Sequence, residues 1–211
     1  MGDVILDITM SVDGYVAGPN QTLEAPLGDG GIDLHQWVFP LKSWRAHHGL
    51  DGGEEGDDDT LVAAALATVG AQVMGRRMFS GGAGPWESDP NAGGWWGDAP
   101  PFSMPVFVVT HHARDPVAFD NGTLFVFVDG VEKAVAQARE AAGARDVRIA
   151  GGADVANQAL RAGLVDRIDL HVAPLLLGSG AKLFDGVEPG AFELLGTRES
   201  PRVTHVSYRP G

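Results

Sequence analysis

The chain has 211 residues, 44% of them hydrophobic, and a formal net charge of -13. That length suits one large domain or two small ones with a sizeable core. The acidity argues against nucleic acid, whose phosphate backbone dominates affinity for its binders. The absence of cysteine removes disulfides, thiolate nucleophiles, cysteine–zinc sites and iron–sulfur clusters.

Asp3 to Thr9 alternates apolar and polar residues and predicts an N-terminal strand. Ser11 to Asn20 is a loop punctuated by Gly and Pro. Residues 21–56 have weak periodicity and many Gly and Asp residues, with a short aromatic piece at Leu34–Trp44 that reads as helical. So long a segment inside a domain is expected to be functional or mobile. Six of the nine residues from Asp51 to Asp59 are acidic, which reads mainly as a solvated loop.

Asp57 to Thr68 predicts a helix, with the acidic triplet Asp57-Asp58-Asp59 as its cap and Gly70 as its stop. Ala71 to Met74 is a short buried strand, and residues 80–103 predict irregular structure. Pro105 to Thr110 is apolar on both faces and so a central strand, and Thr123 to Val128 is another. Val131 to Ala142 is a helix, Asp146 to Ala150 a strand, and Asp154 to Ala162 a helix ending at Gly163. Val165 to Leu177 reads as a long strand broken by Pro174. Phe192 to Glu199 and Arg202 to Tyr208 form a closing antiparallel pair. The alternation implies an α/β fold with a mainly parallel sheet and an antiparallel C-terminal edge. No repeat or linker divides the chain, so residues 1–211 are expected to form a single domain. The first residues have no basic n-region, and the run Val172–Leu177 is far short of the ~20 residues of a membrane helix. A cytoplasmic protein without a membrane partner is the expectation.

Two glycine-ended strands carry the chemistry. Val73-Met74-Gly75-Arg76-Arg77 ends in two guanidinium groups, whose planar forks suit a phosphate monoester. Arg148-Ile149-Ala150-Gly151-Gly152 precedes a helix, whose first N–H groups and dipole also suit phosphate. Thr110-His111-His112, after the Val106–Val109 strand, offers hydroxyl and imidazole groups for phosphate or adenine. Adjacent strand residues point to opposite faces, so neither His111/His112 nor His47/His48 makes a chelate, and no metal is expected. His171 reads as a satisfied strand histidine.

These segments together resemble the dihydrofolate reductase-like superfamily, in the branch related to the reductase domain of riboflavin biosynthesis. The resemblance rests on SVDGYVAGPN at Ser11–Asn20, VMGRRMF at Val73–Phe79, the Val106–Thr110 strand and IAGGADVANQALRAGLVD at Ile149–Asp166, followed by LHVAPLLLGSGAKLF. It implies a three-layer fold with helices on both faces of a mixed sheet, and NADPH as hydride donor to a small-molecule substrate. Arg76 then matches the reader of the 2′-phosphate, with Arg77 beside it. Gly75 ends that strand, Thr110 and His111 lie near the adenosine phosphate, and Gly151 and Gly152 lie under the pyrophosphate. Thr9 and Val16 match backbone carbonyl positions that hold the nicotinamide amide. A gapless count from Met74 puts the catalytic acid of bacterial folate enzymes at Asp59, whose competing role is helix capping.

The same count leaves no cation for a folate tail, since no basic residue lies between Trp86 and Val109. Dihydrofolate is therefore disfavoured. A ribosyl phosphate would need Lys182, in Gly178–Lys182, where the loop also forms a nest of backbone N–H groups. Aromatic residues of the 21–56 insertion, Trp37 among them, either wall a pocket for a flat ring or belong to the core. The expected activity is NADPH-dependent reduction of a small heterocycle or a carbonyl or imine compound. Reduction of 5-amino-6-(5-phosphoribosylamino)uracil or dihydrofolate is the alternative within enzymes, and a non-catalytic nucleotide-binding protein the alternative outside them. Homodimerisation is a further implication of the resemblance.

Overall fold

Strand β1 (Val4–Ser11) alternates between two environments. Val4, Leu6 and Ile8 enter the main apolar cluster, while Asp7, Thr9 and Ser11 are buried polar residues. The structure, a computed structural model, describes residues 1–82 and 84–211. After β1 come β2 (Tyr15–Ala17), a short 3-10 turn at Gly31–His35, α1 (Lys42–His47) and α2 (Asp57–Thr68). Next are β3 (Val69–Gly75), α3 (Arg76–Ser80), a 3-10 turn at Trp86–Ser88, β4 (Pro105–Val109), β5 (Val117–Ala118) and β6 (Leu124–Val128). The chain closes with α4 (Val131–Ala142), β7 (Asp146–Gly151), α5 (Ala153–Arg161), β8 (Arg167–Ala173), β9 (Ala181–Lys182), β10 (Phe192–Glu199) and β11 (Thr204–Pro210).

Nine strands form one sheet in the order β10-β11-β8-β1-β7-β3-β4-β6-β5. The six from β8 to β6 are parallel, and β11, β10 and β5 run antiparallel to their neighbours. This is the α/β sheet with an antiparallel C-terminal edge that the sequence predicts. β2 and β9 form a separate two-stranded sheet.

Helices α4 and α5 cover one face. Their small apolar side chains (Ala134, Val135, Ala138, Val155, Ala156 and Ala159) pack on Leu6, Val73, Ile149 and Ile168. Small residues let the helices approach the sheet closely, and the packing excludes water from both partners. The opposite face carries two smaller clusters. One is aromatic and surrounds Phe79, Phe102 and Phe125 under the 80–103 segment. The other joins Trp37 and Leu41 of the insertion to Val203.

Four local readings change. Gly70 does not stop α2 by a turn; it lies inside β3, where Arg145 and Ala142 pack within 3.0 Å of where its Cβ would sit. The Leu34–Trp44 helix is instead a 3-10 turn and the separate α1, joined through Pro40. Pro lacks the N–H and ring freedom that a continuous helix needs. The long strand into Leu177 ends at Ala173, directly before Pro174. The acidic triplet makes no side-chain cap on α2, whose N-cap is Gly56.

Candidate active site

The two glycine-ended strands are neighbours. Met74 pairs with Gly151 across β3 and β7. A Cβ on Gly75 would sit 3.1 Å from Val155 Cγ2 and 3.6 Å from Gly152 N, so a side chain here would crowd α5. Gly151 adopts φ +124°, a conformation open to glycine. From β3 the chain proceeds to β4 on one side; from β7 it proceeds through α5 to β8 on the other. The outgoing connections thus diverge between adjacent parallel strands. Such a switch point leaves a crevice beyond the strand ends, where open α/β sheets place ligands. The N-terminus of α5, capped at Gly152, points its free N–H groups into that region.

The rim is built by three segments. On one side, the Ser11–Gly18 loop is fastened to the Leu177–Lys182 turn. Asp13 accepts hydrogen bonds from Ser11 Oγ (2.5 Å), Gly178 N (2.7 Å) and Leu177 N (3.2 Å). The Ser11 hydroxyl and these amides hold its carboxyl below the ordinary value. Val16 is buried in this loop and Tyr15 pairs with Lys182. Lys182 itself is exposed, and its carbonyl accepts from Asn157 on α5. Thr9 is buried, its hydroxyl accepting from the Trp37 indole N–H at 3.3 Å.

On the other side stands the 80–103 segment, over the ends of β3 and β4. Here Arg76 is not the free guanidinium that the sequence suggests. Its guanidinium is internal, 7% exposed, donating to Ser80 Oγ and paired with the 2% exposed Asp89 carboxylate. It stacks on the Trp86 ring at 3.6 Å, a geometry that favours arginine through the ring quadrupole. The Trp86 N–H donates to His112 O, and Arg114 lies against the ring's centroid at 4.8 Å. Burial pushes the Asp89 carboxyl up, but hydrogen bonds from Ser80, Arg76 and the Asn91 amide outweigh it and hold the group below the usual carboxylate range. Arg77 is the exposed guanidinium of the pair. Thr110 is buried, its hydroxyl accepting from His112 N, while His111 is exposed and bonds Asp129 at 2.8 Å.

The third segment is the insertion, which closes over the sheet face that carries Thr9. Trp37 is 4% exposed and lies against the rings of His171 (4.9 Å) and His205 (5.1 Å). Of the two roles the sequence leaves open for Trp37, the structure takes the core. Asp59 is likewise engaged within the protein. Its carboxylate accepts the Ser43 amide at 2.6 Å and so caps α1, the neighbouring helix, instead of α2. The acid that reaches the sheet is Asp58, bonded to His205 Nε2 at 3.2 Å.

That contact ends a buried chain that the sequence reading missed. Arg148 lies 3.1 Å from Asp7 Oδ2, Asp7 Oδ1 is 2.8 Å from His171 Nε2, His171 Nδ1 is 2.7 Å from His205 Nδ1, and His205 Nε2 meets Asp58. The Arg148–Asp7 approach is a charge contact, since the angle leaves Arg148 Nε without a hydrogen bond. Three close polar contacts link the two acids and the two rings. Burial pushes Asp7 up, but the Arg148 charge and the His171 hydrogen bond win and keep its carboxyl well below the ordinary range. Burial and the charge of His171 push His205 down, against the pull of Asp58. Only the alternation of polar residues at Asp7, Thr9 and Ser11 on a strand hinted at this in the sequence. The partners come from β7, β8, β11 and α2, which no local spacing links.

The structure therefore brings Gly75, Gly151 and Gly152 together, with Arg76 and Arg77 following Gly75 and Thr110 and His111 beyond the end of the adjacent β4. Lys182, Asp59 and Trp37 are dispersed: one in the β2–β9 pair, one on α2 bonded to α1, one in the core. Among the described residues no cluster of His, Asp and Glu forms a metal site, and no helix is long and apolar enough to cross a membrane.

Comparisons with known proteins follow this geometry. A search of curated protein sequences returns no match. A protein assigned to riboflavin biosynthesis in Shewanella sp. PV-4 superposes with a TM-score of 0.63 at 21% identity, covering 99% of both chains. A diaminohydroxyphosphoribosylaminopyrimidine deaminase/5-amino-6-(5-phosphoribosylamino)uracil reductase of Thermotoga maritima matches with a TM-score of 0.59 at 14% identity. The present chain aligns over 100% of its length and spans 57% of that longer one. A pyrimidine reductase-like protein of Corynebacterium diphtheriae matches with a TM-score of 0.53 at 15% identity, covering 100% of this chain and 92% of that one. These likenesses establish the shared fold. The sequence pattern of the RibD C-terminal domain matches residues 3–206, and the chain belongs to that family.

Proposed function

We propose that the protein is an NADPH-dependent reductase that delivers hydride to a small heterocyclic, carbonyl or imine acceptor. One observation carries the reading: Gly75 and Gly151–Gly152 meet at the divergent ends of β3 and β7, under the N-terminus of α5. A dinucleotide pyrophosphate suits that cradle, because backbone N–H groups can approach it without side chains in the way. Thr9 and Val16 would hold the nicotinamide amide through their carbonyls. Arg77, Thr110 and His111 would line the adenosine end.

When bound, the cofactor supplies the hydride. The chain's own residues orient it, and the insertion with Trp37 closes the adjoining sheet face against water. Asp59, engaged with α1, has no support as proton donor.

The test is cofactor titration by tryptophan fluorescence, followed by a screen for NADPH oxidation. Absence of NADPH and NADH binding would remove the reading. An acceptor related to phosphoribosylaminouracil is the first to try, with Lys182→Ala raising its KM if Lys182 meets the phosphate.

A homodimer in the cytoplasm belongs to the same proposal. The outermost strand β10 leaves Phe192, Leu194 and Leu195 exposed, an apolar edge that a second copy would cover. Sedimentation of the wild type and Leu194→Asp checks it; a monomer in both would remove the dimer.

A further inference from the structure

We propose that Asp89 is an internal competitor for the cofactor's 2′-phosphate and sets the discrimination between NADPH and NADH. This rests on the nicotinamide reading above and assigns a residue that the reading leaves without a role.

Arg76 directly follows the glycine that ends β3, beside Gly152, and so borders the dinucleotide crevice. Its guanidinium does not project freely. Together with Ser80 Oγ, which donates at 2.7 Å, and Asn91 N, which donates at 2.9 Å, it encloses one carboxylate. Guanidinium, hydroxyl and backbone amide are the donor types that hold a phosphate monoester. Trp86 covers the guanidinium and is tied to His112 at the end of β4, so the whole pocket lies at the ligand end of the sheet.

A second observation marks the pocket as incomplete. Arg76 Nε is buried and, among the described residues, has no acceptor. Arginine offers five donors in a fixed fork. A buried donor left without an acceptor costs its desolvation, which a phosphate oxygen would relieve. A phosphate brings three strong acceptor oxygens where Asp89 brings two.

The competition follows from charge. A phosphate monoester carries about -1.5 to -2 at pH 7, against one negative charge on the carboxylate. The carboxylate has the advantage of its tether, which gives it an effective concentration of order mM. NADPH therefore enters by displacing Asp89 from Arg76. NADH has no group for this pocket and binds with Asp89 in place. Asp89 thus lowers affinity for NADPH and leaves NADH untouched.

Binding of NADPH, NADH and 2′,5′-ADP to the wild type and to Asp89→Asn tests this by fluorescence titration. Asparagine keeps the shape and removes the charge. The expected result is a gain of at least about tenfold for NADPH and 2′,5′-ADP, with NADH unchanged. Equal changes for NADPH and NADH, or no change, would overturn the proposal.

If the variant does not fold, hydrogen exchange of the wild type decides. NADPH should speed exchange of backbone amides in residues 86–92, and NADH should not. Identical exchange with both cofactors overturns the competition while leaving the reductase reading intact. No binding of any of the three nucleotides to wild type or variant overturns both.

Discussion

The two faces of the sheet are built from opposite materials. The face under α4 and α5 is alanine, valine, leucine and isoleucine with one phenylalanine, Phe107, and its contacts are interchangeable in kind. The face under the insertion buries Asp7, His171, His205 and Asp58 in one chain of contacts, with half-buried Arg148 at its end. Apolar packing has no direction, so the first face tolerates change in proportion to volume. Buried charges need particular partners at particular angles, so the second tolerates almost none. The first face supplies stability; the second selects one placement of the insertion over the sheet, since Trp37 can lie on the histidine pair only there.

The largest effect expected is on the charged face. His171→Ala removes a ring from the middle of the chain and strands Asp7 and His205. Breaking a buried pair in this way costs ~3–5 kcal/mol, read as a lower midpoint in urea denaturation. A loss under about 1 kcal/mol, the range of an exposed pair, would make the two faces equivalent.

The apolar face should give less. Ala134→Leu puts three extra carbons between α4 and the sheet, where Ala134 is 0% exposed. Overpacking of this kind costs about 1–3 kcal/mol. If it exceeds the His171→Ala effect, volume and not charge is the stricter constraint.

Acid should separate the faces without mutation. Burial is the first cause that lowers the pKa of His35, His48 and His205, and it pushes His47 down to about 4, with His48 and Arg148 adding to that last shift. A histidine whose folded pKa is depressed binds its proton more readily when unfolded. Its contribution is present above its unfolded pKa, 6.5, and is lost as pH falls toward the folded value. Asp7 adds its own loss only below 3.8. Melting temperature should therefore fall between pH 6.5 and 4. His47→Gln should flatten part of that slope, because glutamine does not titrate. An unchanged slope would show that the slope comes from another group.

The smallest effect on stability is expected at Arg77, which is exposed. Arg77→Ala should move the unfolding free energy by no more than about 0.5 kcal/mol while weakening NADPH binding. Unchanged NADPH affinity would remove Arg77 from the adenosine end and leave Arg76 as its sole phosphate reader.

Legibility in the sequence follows the same division. Elements α2, α4, α5, β4, β6, β7 and β10 stand where their hydrophobic period, glycine stops and β-branched runs predict, within a residue or two. The glycine strands were legible because glycine at a strand end has a local cause. What escaped was non-local. Arg76 reads as a free phosphate ligand until Asp89 folds onto it. Asp59 reads as its own helix's cap until Ser43 presents an amide. Asp58 and His205 are 147 residues apart and meet only because β11 lies beside β8 on the sheet.

The sequence by itself determined the α/β alternation and the pair of glycine-ended strands that suit a phosphorylated ligand. Those features depend on period, turn chemistry and the lack of a Cβ, all properties of a residue and its near neighbours. The tertiary structure alone decided which charges are free. Which carboxylate neutralises which cation depends on distances set by the order of strands in the sheet. That order placed Gly75 beside Gly151, enclosed Arg76 with Asp89, and brought His171 against His205.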